Sequence, residues 1–195
     1  LHALRRLCDS HNIFLIEDNA QAPLATEDDV YTGTIGHIGV FSLNYHKHIH
    51  CGEGGICVTN NDDLALRMQC IRNHGENVVD SVPIHDITNM IGFNFRLTEI
   101  SAAIANVQLA KIYKEVSARK NSAEYLSHLV GDLPGITIPS VRQGCSHVYY
   151  VWSLLVDESI ANISRDLFSR ALSEEGFPNS PGYIKPLYNS VSYTH

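Results

Sequence analysis

The stretch "NYHKHIHCGEGG", residues 44–55, sets one lysine among three histidines and follows it with three glycines around a glutamate. Three chemistries use such residues. Alternating histidines hold metals, glycines let a backbone cradle phosphate, and a lysine on a tight turn can be a nucleophile that forms a Schiff base. His46, His48 and His50 would share one strand face, but no strong acidic or cysteine partner stands at ligand spacing and Lys47 would repel a cation. No metal is expected. "GEGG" lacks the spacing of a dinucleotide or P-loop motif, and Glu53 would meet an anion with like charge. Its glycines read instead as small residues that turn the chain into the next apolar run, "GICVTN".

Lys47 gains weight from its neighbours along the chain. An amphipathic helix, "LHALRRLC", with Leu1, Leu4 and Leu7 on one stripe, runs into "NIFLIED", an apolar run ending at Asp18. A helix followed by such a run reads as a buried parallel strand of an α/β sheet, and "GVFSL" and "GICVTN" read as two more. Ligand sites of α/β sheets gather at the carboxyl ends of strands. Asp18 ends one strand, and Ser42 ends another five residues before Lys47. An amine, a carboxylate and a hydroxyl at one sheet edge suit pyridoxal phosphate.

Further along, "NDDLALRMQCIRNHG" is a helix with Asn61 as N-cap, Asp62 and Asp63 in its first turn, Arg72 in its last and Gly75 beyond. A polar loop extends to about Gly92, and Thr98 opens one long helix through "SHLV". After "GDLPG" come strands "ITIPSV" and "HVYYVWSLLVD", helix "SRDLFSRALSEEG" and a proline-rich loop. The change of texture divides the chain near residue 115, into residues 1–115 and a smaller α+β unit of residues 116–195.

The 195 residues are 44% hydrophobic and 18% charged, enough apolar content for a packed core. A net charge of −7 without a basic run argues against nucleic acid or an anionic membrane as the main partner. The longest apolar run is too short to span a bilayer. Five scattered cysteines, odd in number and without CxxC, read as reduced thiols of a cytoplasmic protein. Both ends read as cut from a longer polypeptide.

"EDNAQA", "FSLNYHKHIHCGEGG", "RNHG" and "GFNFRLTEISAAIANVQL" follow one another in an order that resembles the DegT/DnrJ/EryC1/StrS sugar aminotransferases. The resemblance covers most of the chain and weakens after about residue 145. It implies a fold-type I pyridoxal phosphate transferase, α/β, with a mostly parallel central sheet flanked by helices and a smaller α+β C-terminal domain. Here the N-terminal part would be missing, so that residues 1–115 would be the later part of the large domain and 116–195 the start of the small one. Lys47 would carry the cofactor, Ser42 would bind its phosphate, Asp18 would face the ring nitrogen and Gln21 the 3-oxygen. Asn94 would reach the phosphate of a neighbouring subunit, which implies a homodimer with composite sites. His46 and His48 flank the lysine and are expected to meet substrate or solvent. His147 and Tyr149 are assigned to core packing.

The implied reaction moves an amino group from an amino acid, glutamate in most of the family, to a nucleotide-linked keto sugar. A dehydratase branch has histidine at the lysine position; with Lys47 in register with "GEGG", transamination is favoured. Two alternatives stay open: an inactive fragment or dimerisation module lacking the complete site, and amine transfer to a cyclitol or other ketone.

Overall fold

The computed structural model describes residues 1–76, 90–182 and 186–189. It contains two compact units, one of Leu1–Glu124 with Ser140–Val151, the other of Tyr125–Pro139 with Trp152–His195.

In the first unit, α1 (His2–Ser10) leads into β1 (Ile16–Asp18). The latter pairs in parallel with β4 (Ile38–Ser42), placing Asp18 opposite Val40. Between them, β2 (Thr26–Glu27) and β3 (Val30–Tyr31) form a hairpin. Asp28 and Asp29 supply its two-residue turn at φ 50° and 63°, the doubly left-handed geometry that matches strand twist. β5 (Gly55–Val58) pairs antiparallel with β4, so the main sheet runs β1-β4-β5. The mixed α/β class expected from the sequence holds, but this last strand does not run parallel as its apolar run suggested. The physical reason is the connection: residues 43–54 contain no helix to carry a crossover, so the chain doubles back beside the strand it left.

α2 (Asp62–Arg72) starts where expected, with Leu64 N–H donating to the Asn61 side chain at 2.9 Å. After it the chain meets the segment that follows the undescribed residues. Asn73 bridges Asn94, His74 N–H donates to Phe93 O, and Arg96 donates to Asn73 Oδ1 at 2.7 Å. Most of the polar loop expected from the sequence lies outside the described residues. Thr98 caps the next helix, but one long helix is replaced by two, α3 (Glu99–Leu109) and α4 (Ile112–Val130). At the break Lys111 N–H bonds Gln108 O, a tightened turn that ends the α-helical ladder. Ile112 and Val116 on α4 pack with Ala25 and Val148 in the core of this unit. β7 (Cys145–Ser146) pairs with β2.

The second unit contains the end of α4, the antiparallel pair β6 (Ile136–Thr137) and β8 (Leu155–Val156), α5 (Glu158–Ala161) and α6 (Arg165–Glu174). Ser164 caps α6 through Leu167 N–H. The long strand expected over "HVYYVWSLLVD" is reduced to β8. Tyr149 sits at φ 48°, a left-handed conformation that cannot continue an extended ladder. Among the described residues no helix is long and apolar enough to cross a membrane.

Candidate functional site

Two strand ends set the frame. In a parallel pair, facing residues project to the same side and alternate along each strand. Asp18 faces Val40, so Asp18 and Ser42 project from one face of the sheet, with Cα atoms about 8 Å apart from strand spacing and rise. The residue before Asp18 takes the other face. Glu17, buried, accepts N–H bonds from Gly33 at 2.7 Å, Ile35 at 2.8 Å and Gly36. The loop before β4 is thereby fastened beneath β1, and Asp18 is left exposed at the strand end.

Asp18 and Ser42 also have local tasks. Asp18 Oδ1 accepts from Ala20 N–H at 3.0 Å, steadying the turn after β1. Ser42 Oγ accepts from Asn44 N–H at 3.2 Å, which leaves the hydroxyl proton available to an acceptor. Gln21 is exposed close behind Asp18 in sequence. Asn94 is exposed on the segment bonded to Asn73, and among the described residues no hydrogen bond links it to Lys47 or Asp18.

Lys47 stands on a closed loop. Leu43 N–H bonds Gly54 O at 2.8 Å and Cys51 N–H bonds Leu43 O at 3.0 Å, with the Leu43 side chain buried beneath. Gly52 and Gly54, at φ 97° and 154°, supply conformations that L side chains rarely adopt. Among the described residues Glu53 pairs with no cation: it accepts from the Asn44 amide at 2.7 Å and ties the two limbs of the loop together. Lys47 N–H bonds Asn44 O at 2.9 Å, and its ammonium lies 4.6 Å from the centroid of the Tyr150 ring. Among the described residues no carboxylate pairs with it.

The histidines divide. His46 is exposed, its ring 3.7 Å from that of Tyr45. His48, expected to meet substrate or solvent, is instead 7% exposed, with Nε2 3.1 Å from Val148 O. The loop folds it inward, where the returning segment 140–151 offers a carbonyl. Burial pushes its pKa down; the Val148 bond opposes this, while Arg119, Lys47 and His147 reinforce it. Of the two residues assigned to core packing, Tyr149 is buried but His147 is exposed, its ring turned back onto its own segment, where Nδ1 accepts from Tyr149 N–H at 2.9 Å; partial desolvation still lowers its pKa. The described residues contain no group of three or more metal-ligating side chains within reach of one ion. Sequence reasoning missed the partnership of Lys47 and His48 with residues 148–150, for which "HVYY" carries no local signal.

A parallel strand pair carrying a carboxylate and a hydroxyl on one face, beside a glycine-shaped lysine loop, defines an α/β protein with a candidate ligand site at its strand ends. The chain belongs to the DegT/DnrJ/EryC1/StrS aminotransferase family, whose model matches residues 1–195. It is 33% identical to L-glutamine:2-deoxy-scyllo-inosose aminotransferase of Streptoalloteichus tenebrarius, over 99% of this chain and 47% of that protein. It is 32% identical to GDP-perosamine synthase of Vibrio cholerae, over 100% of this chain and 51% of that protein. Among solved structures, a DegT DnrJ EryC1 StrS aminotransferase from Brucella abortus superposes with TM-score 0.82 at 28% identity, covering 98% of this chain and 48% of that one. S. venezuelae DesV, solved with a ketimine intermediate, gives TM-score 0.81 at 31% identity, covering 98% and 49%. The chain thus spans about half the length of the relatives it matches. The fold is that of fold-type I pyridoxal phosphate aminotransferases, and an E. coli neighbour at TM-score 0.74 and 27% identity, covering 89% of this chain and 47% of that one, was solved with hydrated pyridoxal phosphate.

Proposed function

We propose that the protein to which this chain belongs is a pyridoxal phosphate-dependent aminotransferase that moves an amino group from an amino acid to a nucleotide-linked keto sugar. One observation carries the reading: the Lys47 amine, unpaired with any described carboxylate, on a shaped loop that continues from the strand ending at Ser42, beside the strand ending at Asp18. The residues present fit the group. Asp18 has a carboxylate oxygen beyond the one used by Ala20, and Ser42 has a hydroxyl proton to give.

When bound, the cofactor supplies an electron sink that stabilises a carbanion. Lys47 Nζ would carry it and then move the proton, as base and afterwards as acid. Asp18 would hold the ring nitrogen protonated by ion pairing. Ser42 would donate to the phosphate, and Gln21 to the 3-oxygen. We infer also that a second copy completes the site through Asn94. In support, Asn94 is exposed and α3 presents Ile100, 77% exposed, with Ile104 and Val107 to an uncovered face.

A second acceptor class has an observation of its own: the S. tenebrarius relative is named for a cyclitol ketone and for L-glutamine as donor. The experiment is to add pyridoxal phosphate to the protein, reduce with borohydride and map the modified peptide. Fixation on Lys47 is expected, and Lys47→Ala should abolish both fixation and turnover. Full activity in that variant would refute the assignment. Glutamate and glutamine, each offered with nucleotide-linked keto sugars and a cyclitol ketone, then separate the acceptor readings.

A further inference from the structure

Consecutive residues of the lysine loop reach the same short segment by different means. Lys47 lays its ammonium over the Tyr150 ring, and His48 sets Nε2 3.1 Å from the Val148 carbonyl. A carbonyl can only accept, so Nε2 carries the hydrogen and the tautomer is fixed. Among the described residues nothing bonds the buried Nδ1. Protonating it would create an N–H without an acceptor, with Lys47, Arg119 and His147 as positive or potentially positive neighbours. The imidazole is therefore a neutral anchor beside a cationic amine. A cationic one would repel its neighbour.

We propose that His48 is a positioning residue for Lys47: as the Nε2–H tautomer it pins the lysine loop to the Val148 carbonyl and so holds Nζ on the face of Tyr150. The functional meaning rests on the reading of Lys47 as the cofactor-bearing amine; the geometry does not. Tyr150 then serves as the resting place of the charged amine, which Lys47 would leave when it takes up the cofactor. The ring attracts the ammonium through its quadrupole, but only if the loop stays within reach.

Gln and Asn separate the hydrogen bond from mere filling of space. A glutamine amide nitrogen falls near the Nε2 position, an asparagine nitrogen near Nδ1. The purified chain is treated with limiting acetic anhydride, and Lys47 acetylation is read by peptide mass spectrometry against exposed Lys111 and Lys114. Lys47 labelling should rise about threefold in His48→Asn and in Tyr150→Leu, as expected for loss of a partly exposed cation–π contact, and His48→Gln should label like the parent. Fixation of pyridoxal phosphate on Lys47 by borohydride should fall in His48→Asn and persist in His48→Gln. If Gln and Asn behave alike, or all lysines rise together through loss of structure, His48 positions nothing. If the acetylation pattern holds but the parent chain fixes no pyridoxal phosphate, the aminotransferase reading fails and the positioning role stands.

Discussion

The side-chain amide of Asn44 donates to the Glu53 carboxylate at 2.7 Å, joining the two limbs of the loop that presents Lys47. This bond explains a glutamate between glycines better than any ligand does. It is exposed, so water screens it and competes for both partners. Glu53→Ala should cost only about 1 kcal/mol in urea unfolding. Borohydride fixation at Lys47 should fall by a larger factor than that loss of stability accounts for, because the loop's closure is what sets the amine. Equal fixation in variant and parent would show that the bond is incidental.

Glu17 is a different case, since its carboxylate is buried and satisfied by three main-chain donors. In Glu17→Gln one oxygen becomes an NH2 group facing N–H donors, leaving at least one of them without an acceptor. The expected loss is about 2–4 kcal/mol in urea unfolding, the cost of an unsatisfied buried group plus a charge-assisted bond. A change under 1 kcal/mol would mean that the loop before β4 re-forms its bonds elsewhere.

Much of the frame was legible because it is written in local chemistry. Asn61 caps the helix it was assigned, and Thr98 and Ser164 cap helices that begin where the sequence reading started them, since a short oxygen-bearing side chain needs only the next turn's N–H. What depends on distant partners was not legible. The direction of β5 follows from how residues 43–54 fold back, and an apolar run is the same read either way. His48 looked like a loop histidine, and its burial depends on a carbonyl 100 residues along the chain. Tyr149 gives no sequence warning of its left-handed φ, which ends the strand that its apolar neighbours suggested.

The motifs "RNHG" and "GFNFR", read separately, turn out to be two sides of one clasp. Asn73 bridges Asn94 while Phe93 N–H and Phe95 N–H bond Ile71 O and Arg72 O. Gly92 is where the sides press closest: a Cβ there would strike the main chain at His74 and Gly75. Main chain cannot rotate out of the way as a side chain can. Gly92→Ala should therefore open the clasp at a cost of about 1–3 kcal/mol. If Asn94 completes a second copy's site, dimer content in sedimentation and retention of pyridoxal phosphate should fall together. Retention of both would sink that role for the clasp.

The final prediction concerns pH. Burial of His48 and partial desolvation of the more exposed His147 hold both pKa values below the ordinary histidine value, so the unfolded chain binds protons that the folded one refuses. Stability must then rise with pH wherever the unfolded state carries more protons. The contribution is complete above the unfolded histidine pKa of about 6.5 and is lost as pH falls from there through the lowered folded values. The charged and titratable groups facing His48 act in one direction, Arg119 from α4, Lys47 from its own loop and His147 from the returning segment all disfavouring its proton, while the Val148 carbonyl opposes them. Glu27 and Asp157 also have lowered pKa values, but they titrate below the usual carboxylate range and do not enter this window. Urea midpoints measured from pH 7.5 down to 5 should therefore decline. His48→Gln, which keeps the donor and cannot take a proton, should flatten the decline without removing it, because His147 remains. An unchanged slope in that variant would mean that His48 is protonated as readily folded as unfolded.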